Sequence, residues 1–169
     1  MSKWSVRQIS AAALIAALYV ALSMLSSVFG LTYAPIQCRL SEAMTVLPFL
    51  LPEAVPGLFV GCLITNLMST AGPLDILVGS ASTLLAALWT AKMPGKWLAP
   101  LPPVLCNAAL VGAMLAWYEV GFGPQFPALY AWNAFTVGLG ETVACYVPGL
   151  LLLKALSRVP TLGGTSASH

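Results

Sequence analysis

From Ala43 to Ala91 the chain runs through about fifty residues in which only Glu53 and Asp75 carry charge. Lipid tolerates so apolar a stretch only as helix or inside protein, because backbone polar groups left unpaired in hydrocarbon cost several kcal/mol. Pro48, Pro52, Pro56, Gly72 and Pro73 interrupt it, and proline and glycine break helices or mark their ends. The region therefore divides into three helical pieces, at about residues 42–51, 54–70 and 75–91.

Three more apolar runs flank it. Ile9 to Phe29 lies between Lys3 and Arg7 on one side and Gly30 on the other. It is longer than the apolar region of a signal peptide and ends without a small-residue cleavage site, so it reads as a membrane helix. Trp97 to Tyr118 follows Lys92 and Lys96, and after a Gly/Pro turn the last run extends from about Ala128 to Leu156, closed by Lys154 and Arg158. The whole chain is 59% apolar and 7% charged, where a soluble domain carries about a quarter charged residues.

Six of the seven basic residues fall in three clusters, Lys3/Arg7, Lys92/Lys96 and Lys154/Arg158. Lysine and arginine in short loops stay on the cytoplasmic side. An even number of crossings must separate successive clusters, and four followed by two accounts for every apolar run. The expectation is an all-α membrane protein with six transmembrane helices and both termini cytoplasmic. Residues 1–159 form one integral membrane domain, 160–169 a flexible tail, and Arg39 stands on the outer side.

Several function classes are excluded. The 169 residues are one domain's worth, and a net charge of +2 without a basic run gives nucleic acid little to bind. Cys38, Cys62, Cys106 and Cys145 are scattered, and His169 is the lone histidine, so neither a zinc site nor a disulfide framework is expected. The chain contains no P-loop for ATP and no nucleophile or metal motif for hydrolysis. Nor do its halves repeat the matched broken helices of many secondary transporters. These absences point to a non-enzymatic membrane binding protein, without cofactor or metal, whose energy source lies elsewhere.

A charged or amide side chain costs roughly 2.5–3.5 kcal/mol in the bilayer on insertion scales, so each is a candidate site residue. Glu42 is expected to open the second span at the outer surface, Asn66 to lie in the outer half of the third, Asp75 to open the fourth at the outer surface, Asn107 to sit near mid-depth in the fifth, and Asn133 and Glu141 to lie in the sixth. Most fall in the outer half, which suggests an outward-open pocket roofed by the loop from Gly30 to Leu40. Each also has a structural use. Ser41 is a good N-cap, with Glu42 or Asp75 complementing a helix dipole. Arg39 can pair with Glu42, and the asparagines can bridge helices. Glu141, about two turns inside its span, is the hardest to explain structurally. Asn133 and Glu141 lie about 12 Å and about 80° apart on a regular helix, so either the ligand is long or glycines bend the helix.

Tyr33, Phe126, Tyr130, Trp132 and Phe135 gather at the outer side, as interfacial anchors or as rings for a planar ligand to stack on. In the first span Ala13, Ala17 and Ala21 form a small-residue stripe beside Ala12 and Ala16. Such stripes serve internal packing or the docking of another membrane subunit.

The segment Pro35-Ile36-Gln37-Cys38-Arg39-Leu40-Ser41-Glu42-Ala43-Met44-Thr45-Val46-Leu47-Pro48 resembles the signature of the QueT family, substrate-binding S components of energy-coupling factor (ECF) transporters. Further ordered blocks resemble it too: Pro56-Gly57-Leu58-Phe59-Val60-Gly61-Cys62 with Asn66, Leu74-Asp75 with Gly79-Ser80, Leu98 to Val104 with Asn107, and Asn133 with Gly138-Leu139-Gly140-Glu141. The resemblance implies the six-helix S-component fold in the cell membrane and capture of a queuosine-related 7-deazaguanine, with Arg39, Glu42, Asn66, Asp75, Asn107, Trp132, Asn133 and Glu141 as candidate binding residues. It also implies partners, a transmembrane scaffold subunit and two cytosolic ATPases that use the ATP. Ala13, Ala17 and Ala21 would then form the docking face. Rival readings are an S component for another vitamin or nucleobase, a partner-independent small transporter, and an intramembrane enzyme using Glu42 and Glu141.

Overall fold

The computed structural model describes residues 4–30, 39–69 and 72–158. These residues form six helical segments and no strand: Val6–Val28, Leu40–Phe49, Ala54–Met68, Asp75–Thr90, Leu101–Val120 and Phe126–Leu156, here the first to sixth helices. Most of the expected loop over the pocket, with Tyr33 and Cys38, lies outside the described residues, as do the 160–169 tail and His169. The first, fifth and sixth helices are long and apolar enough to cross a membrane; the third and fourth are shorter apolar helices.

Local chemistry accounts for the helix ends. The Ser5 hydroxyl accepts the Gln8 N–H at 3.3 Å while Gln8 Oε1 accepts the Ser5 N–H at 3.0 Å, a reciprocal cap that satisfies two otherwise orphaned donors. The fifth helix begins at Leu101 rather than at Trp97. Pro102 and Pro103 occupy its first turn, where a missing N–H costs nothing, and upstream of them the chain turns. Gly121, at φ 59°, ends that helix with its N–H on Trp117 O at 2.8 Å.

The second helix departs most from expectation. It is a 310 helix of ten residues, rising only about 20 Å, and such runs seldom persist beyond three or four residues without outside support. Here the support is burial of every residue from Ser41 to Pro48. Ser41 is not the N-cap: Arg39 holds that position without a side-chain cap bond, and Ser41 Oγ instead accepts from Ser23 Oγ at 2.8 Å. Glu42, expected at the outer surface, is interior and 3% exposed.

Pairwise contacts set the direction of the helices. Tyr19 meets Glu42, Ser23 meets Ser41 and Ser26 meets Leu40, so the first and second helices are antiparallel. A Cβ on Gly57 would lie 2.7 Å from Ala12 O, and one on Gly61 would lie 2.9 Å from Tyr19 Cβ. The third helix is therefore parallel to the first, at a separation that only glycine allows. Asn107 meets Glu141 and Gly112 meets Ala134, making the fifth and sixth helices antiparallel. Alternation of this kind gathers the start of the second helix, the end of the third, the start of the fourth and the end of the fifth at one end of the bundle. Lys92, Lys96, Lys154 and Arg158 stand at the other.

Polarity is inverted relative to a soluble protein. Phe135, Leu139, Val143, Val147 and Leu151 recur every four residues along the sixth helix and are exposed, whereas Ser41, Thr45, Asn66, Asp75, Ser82, Thr83, Asn107 and Glu141 are buried. In water such an outer stripe would drive association; against hydrocarbon it is the expected surface. Tyr19, Met44, Leu47, Leu58 and Cys62 belong to one core cluster, and Val46, Leu50, Ala99, Cys145 and Leu153 to a second.

Candidate functional site

The fourth, fifth and sixth helices carry one wider, π-helical turn each, at Asp75–Gly79, Asn107–Val111 and Cys145–Gly149. Such turns re-aim the side chains around them and occur often at functional sites. Pro148, which lacks a backbone N–H, falls inside the third. Asp75 and Asn107 open the other two, and both side chains point into the bundle.

They line a cavity of about 300 Å³ together with Arg39, Glu42, Cys62, Thr83, Tyr118 and Glu141; Val111, Met114, Leu115 and Val137 supply apolar wall. Its size lies at the lower end of ligand pockets, which run roughly 300–1,000 Å³. Three carboxylates face it against a single guanidinium, that of Arg39.

Hydrogen bonds fix most of the polar wall. Ser82 Oγ donates to Asn107 Oδ1 at 2.5 Å, and Asn107 Nδ2 donates to Glu141 Oε1 at 2.9 Å. Cys145 Sγ lies 3.6 Å from Glu141 Oε2 and 3.4 Å from the Glu42 carbonyl oxygen, which also accepts from Thr45 Oγ1 at 2.6 Å. Tyr19 Oη donates to Glu42 Oε1. On the opposite wall Asn66 Nδ2 donates to the Asp75 carbonyl at 3.0 Å, and Thr83 Oγ1 to Cys62 Sγ at 3.2 Å. A Cβ on Gly79 would sit 2.7 Å from Asn66 Nδ2 and push that amide off the Asp75 carbonyl.

Three buried side-chain atoms have no partner among the described residues: Glu42 Oε2, Asn66 Oδ1 and Asp75 Oδ2. All three are acceptors. A buried acceptor left unpaired costs about 1–3 kcal/mol, more when charged; two of the three belong to Glu42 and Asp75, which line the cavity, so N–H donors placed there would offset that cost.

Of the eight residues singled out from sequence, Arg39, Glu42, Asp75, Asn107 and Glu141 line this cavity, and Asn66 stands behind the Asp75 wall. The structure does not bring the other two there. Asn133 donates to Glu119 Oε1 at 3.1 Å, and Trp132 is 62% exposed. Trp132 and Glu141 are nine residues apart, about half a revolution, so they occupy opposite faces of the sixth helix. The sixth helix thus needs neither a long ligand nor a bend to reconcile Asn133 with Glu141. The Phe126 and Tyr130 rings stack at 6.0 Å, and Phe135 packs against Trp132. Among the described residues, Tyr118 is the aromatic that lines the cavity. Ala13, Ala17 and Ala21 are exposed, whereas Ala12 and Ala16 face the third helix.

Tyr19, Ser82, Thr83 and Cys62 escaped the sequence reading. A tyrosine in the middle of a membrane helix was the available signal, because a buried phenol needs a hydrogen-bond partner. Serines and threonines carry no such signal, being able to bond their own helix backbone.

Apolar helices enclosing an interior polar cavity define a multi-pass helical membrane protein. The family model described as QueT transporter matches residues 9–158. This chain therefore belongs to the QueT transporter family, whose members are transporters and not enzymes. It is similar to the queuosine precursor transporter QueT of Lactococcus lactis subsp. cremoris (strain MG1363), with 28% identity over 94% of this chain and 98% of that protein. No solved structure matches it.

Proposed function

We propose that this protein is the substrate-binding S subunit of an ECF-type importer and captures a queuosine-related 7-deazaguanine. The observation that carries the substrate is the pair of unpartnered buried carboxylate oxygens, Glu42 Oε2 and Asp75 Oδ2, on cavity-lining residues beside one guanidinium. A deazaguanine edge offers a ring N–H and an amino group next to a carbonyl. One carboxylate accepts from the donor pair, and a guanidinium donates to the carbonyl oxygen. Glu42 takes the donor pair in this reading, and Arg39 the carbonyl. Asp75, with Asn66 holding its backbone carbonyl from behind, accepts from the far end of the ligand, where an aminomethyl cation offsets the excess of carboxylates. Asn107 and Glu141 hold the ring from the side. Adenine-like compounds are rejected because they leave these groups unpaired. The name of the Lactococcus relative supports the same substrate class.

The lysine-rich end of the bundle faces the cytoplasm in this reading, by the positive-inside rule, so the cavity opens toward the outside of the cell membrane and six spans leave both termini inside. Without a P-loop the chain depends on two partner ATPases and a scaffold subunit, and the exposed Ala13, Ala17 and Ala21 stripe gives that scaffold a surface for close approach. The purified protein titrated calorimetrically with 7-aminomethyl-7-deazaguanine, 7-cyano-7-deazaguanine, guanine, adenine and riboflavin is the test. Tight binding of a deazaguanine and none of adenine is expected. Binding of riboflavin alone would reassign the cargo, and uptake by cells lacking ATPase subunits would reject the S-subunit role.

A further inference from the structure

At the lysine-rich end of the bundle a second hollow, of about 460 Å³, lies between the turn after the fourth helix and the outer face of the sixth. Val147, Leu150, Leu151 and Lys154 line it from the sixth helix, at i, i+3, i+4 and i+7, which is one continuous helix face. Lys96 and Trp97 line it from the turn, held there because the neighbouring Ala99 packs in one cluster with Leu153. Val147, Leu151 and Trp97 are among the exposed apolar side chains, so the groove opens sideways, where the bilayer would be. An apolar channel that ends in two lysines and an indole has the polarity profile of a lipid molecule: acyl chain, interface, phosphate.

We propose that this groove seats one anionic phospholipid, its phosphate between Lys96 and Lys154 and an acyl chain along Val147 and Leu151. Charge complementarity selects the occupant. Among the described residues no carboxylate lines the groove, so its two ammonium groups have no counter-ion among them, and anionic lipid supplies one. Basic pockets between helices hold acidic headgroups in this way, and tryptophan sits at headgroup depth. The pinned lipid ties the turn before the fifth helix to the end of the sixth, next to the wide turn at Cys145–Gly149 that carries Pro148.

The full chain in mild detergent, titrated with phosphatidylglycerol or phosphatidylcholine and read by native mass spectrometry, tests this. One phosphatidylglycerol is expected to bind at least about tenfold more tightly than phosphatidylcholine. Lys96→Gln with Lys154→Gln should erase that preference, whereas Lys92→Gln with Arg158→Gln should keep it within about twofold. Leu151→Trp, which fills the groove and retains both lysines, should also lose the bound lipid, so the inference does not hang on one variant. Equal binding of the two lipids, or an equal loss in the Lys92/Arg158 pair, overturns it. Lipid retained by the Lys96/Lys154 variant while co-purification of ATPase partners is lost would hand the groove to a protein and overturn it as well.

Discussion

The Tyr19 hydroxyl donates to one carboxylate oxygen of Glu42 and leaves the other, Oε2, buried and unpartnered at the cavity. A residue from the first helix thereby aims an acceptor supplied by the second. Tyr19→Phe removes a hydrogen bond to a carboxylate, typically about 1.5–3 kcal/mol, and lets Glu42 rotate. Ligand affinity should fall about tenfold or more, with Glu42→Gln falling further because the acceptor itself is altered. Calorimetry on the two purified variants checks the order; wild-type affinity in Tyr19→Phe would show that Glu42 needs no such aiming.

Glu141 is reached through a relay, Ser82 to Asn107 to Glu141, that crosses the fourth, fifth and sixth helices. Glu141→Gln keeps the shape but removes the charge, and it should lower ligand affinity at least about tenfold without loss of expression. Ser82→Ala acts only by loosening Asn107, and the expected loss is smaller, about the 1 kcal/mol of one neutral hydrogen bond. If both variants bind as the wild type does, the relay is structural.

Asp75 offers an unpartnered Oδ2 in the cavity that Glu141 also lines. Asp75→Asn keeps the volume and deletes the charge, so a cationic ligand should suffer more than a neutral one. The aminomethyl deazaguanine should lose about tenfold in affinity and the cyano compound less than about threefold, since charge-assisted hydrogen bonds are about twice as strong as neutral ones. Equal losses would move the cationic group away from Asp75.

Trp132 and Asn133 provide the contrasting case, because neither lines the cavity. Trp132→Ala should leave ligand affinity within about twofold. Asn133→Ala breaks the bond to Glu119 and should cost stability alone, about 0.6 kcal/mol by comparison with other interhelical hydrogen bonds in membranes. Thermal unfolding and calorimetry on the same preparations separate the two effects.

These cases show what can be read from a membrane sequence and what cannot. Charge and amide groups in an apolar chain are so costly that Glu42, Asp75, Asn107 and Glu141 announced themselves, and the helix boundaries followed from proline, glycine and lysine. Depth was less legible. Glu42 and Asp75 looked like surface residues because each begins a helix, yet the 310 form of the second helix and the wide turn at Asp75 carry both into the interior. Azimuth was lost for Trp132 because proximity in sequence to Asn133 and Glu141 says nothing about which face a side chain occupies. Tyr19 was hidden for a related reason: its partner is 23 residues away, and only the antiparallel pairing of two helices reveals it.

The two faces of the first helix predict opposite outcomes for equally small changes. On its inner face, Gly61 of the third helix approaches so closely that a Cβ would lie 2.9 Å from Tyr19 Cβ and 3.0 Å from Ala16 O. Gly61→Val must push the helices apart, which costs about 1–3 kcal/mol as overpacking does elsewhere, and it displaces Tyr19 from Glu42. Lower thermal stability and weaker ligand binding should appear together. On the outer face, Ala17 is exposed, so Ala17→Leu meets only lipid in the isolated protein. Its melting temperature and ligand affinity should match the wild type, while on the S-subunit reading proposed above uptake in cells should collapse, because a bulky side chain would hold the proposed scaffold subunit at a distance. Uptake that survives Ala17→Leu and Ala13→Leu together would place the docking surface on another helix.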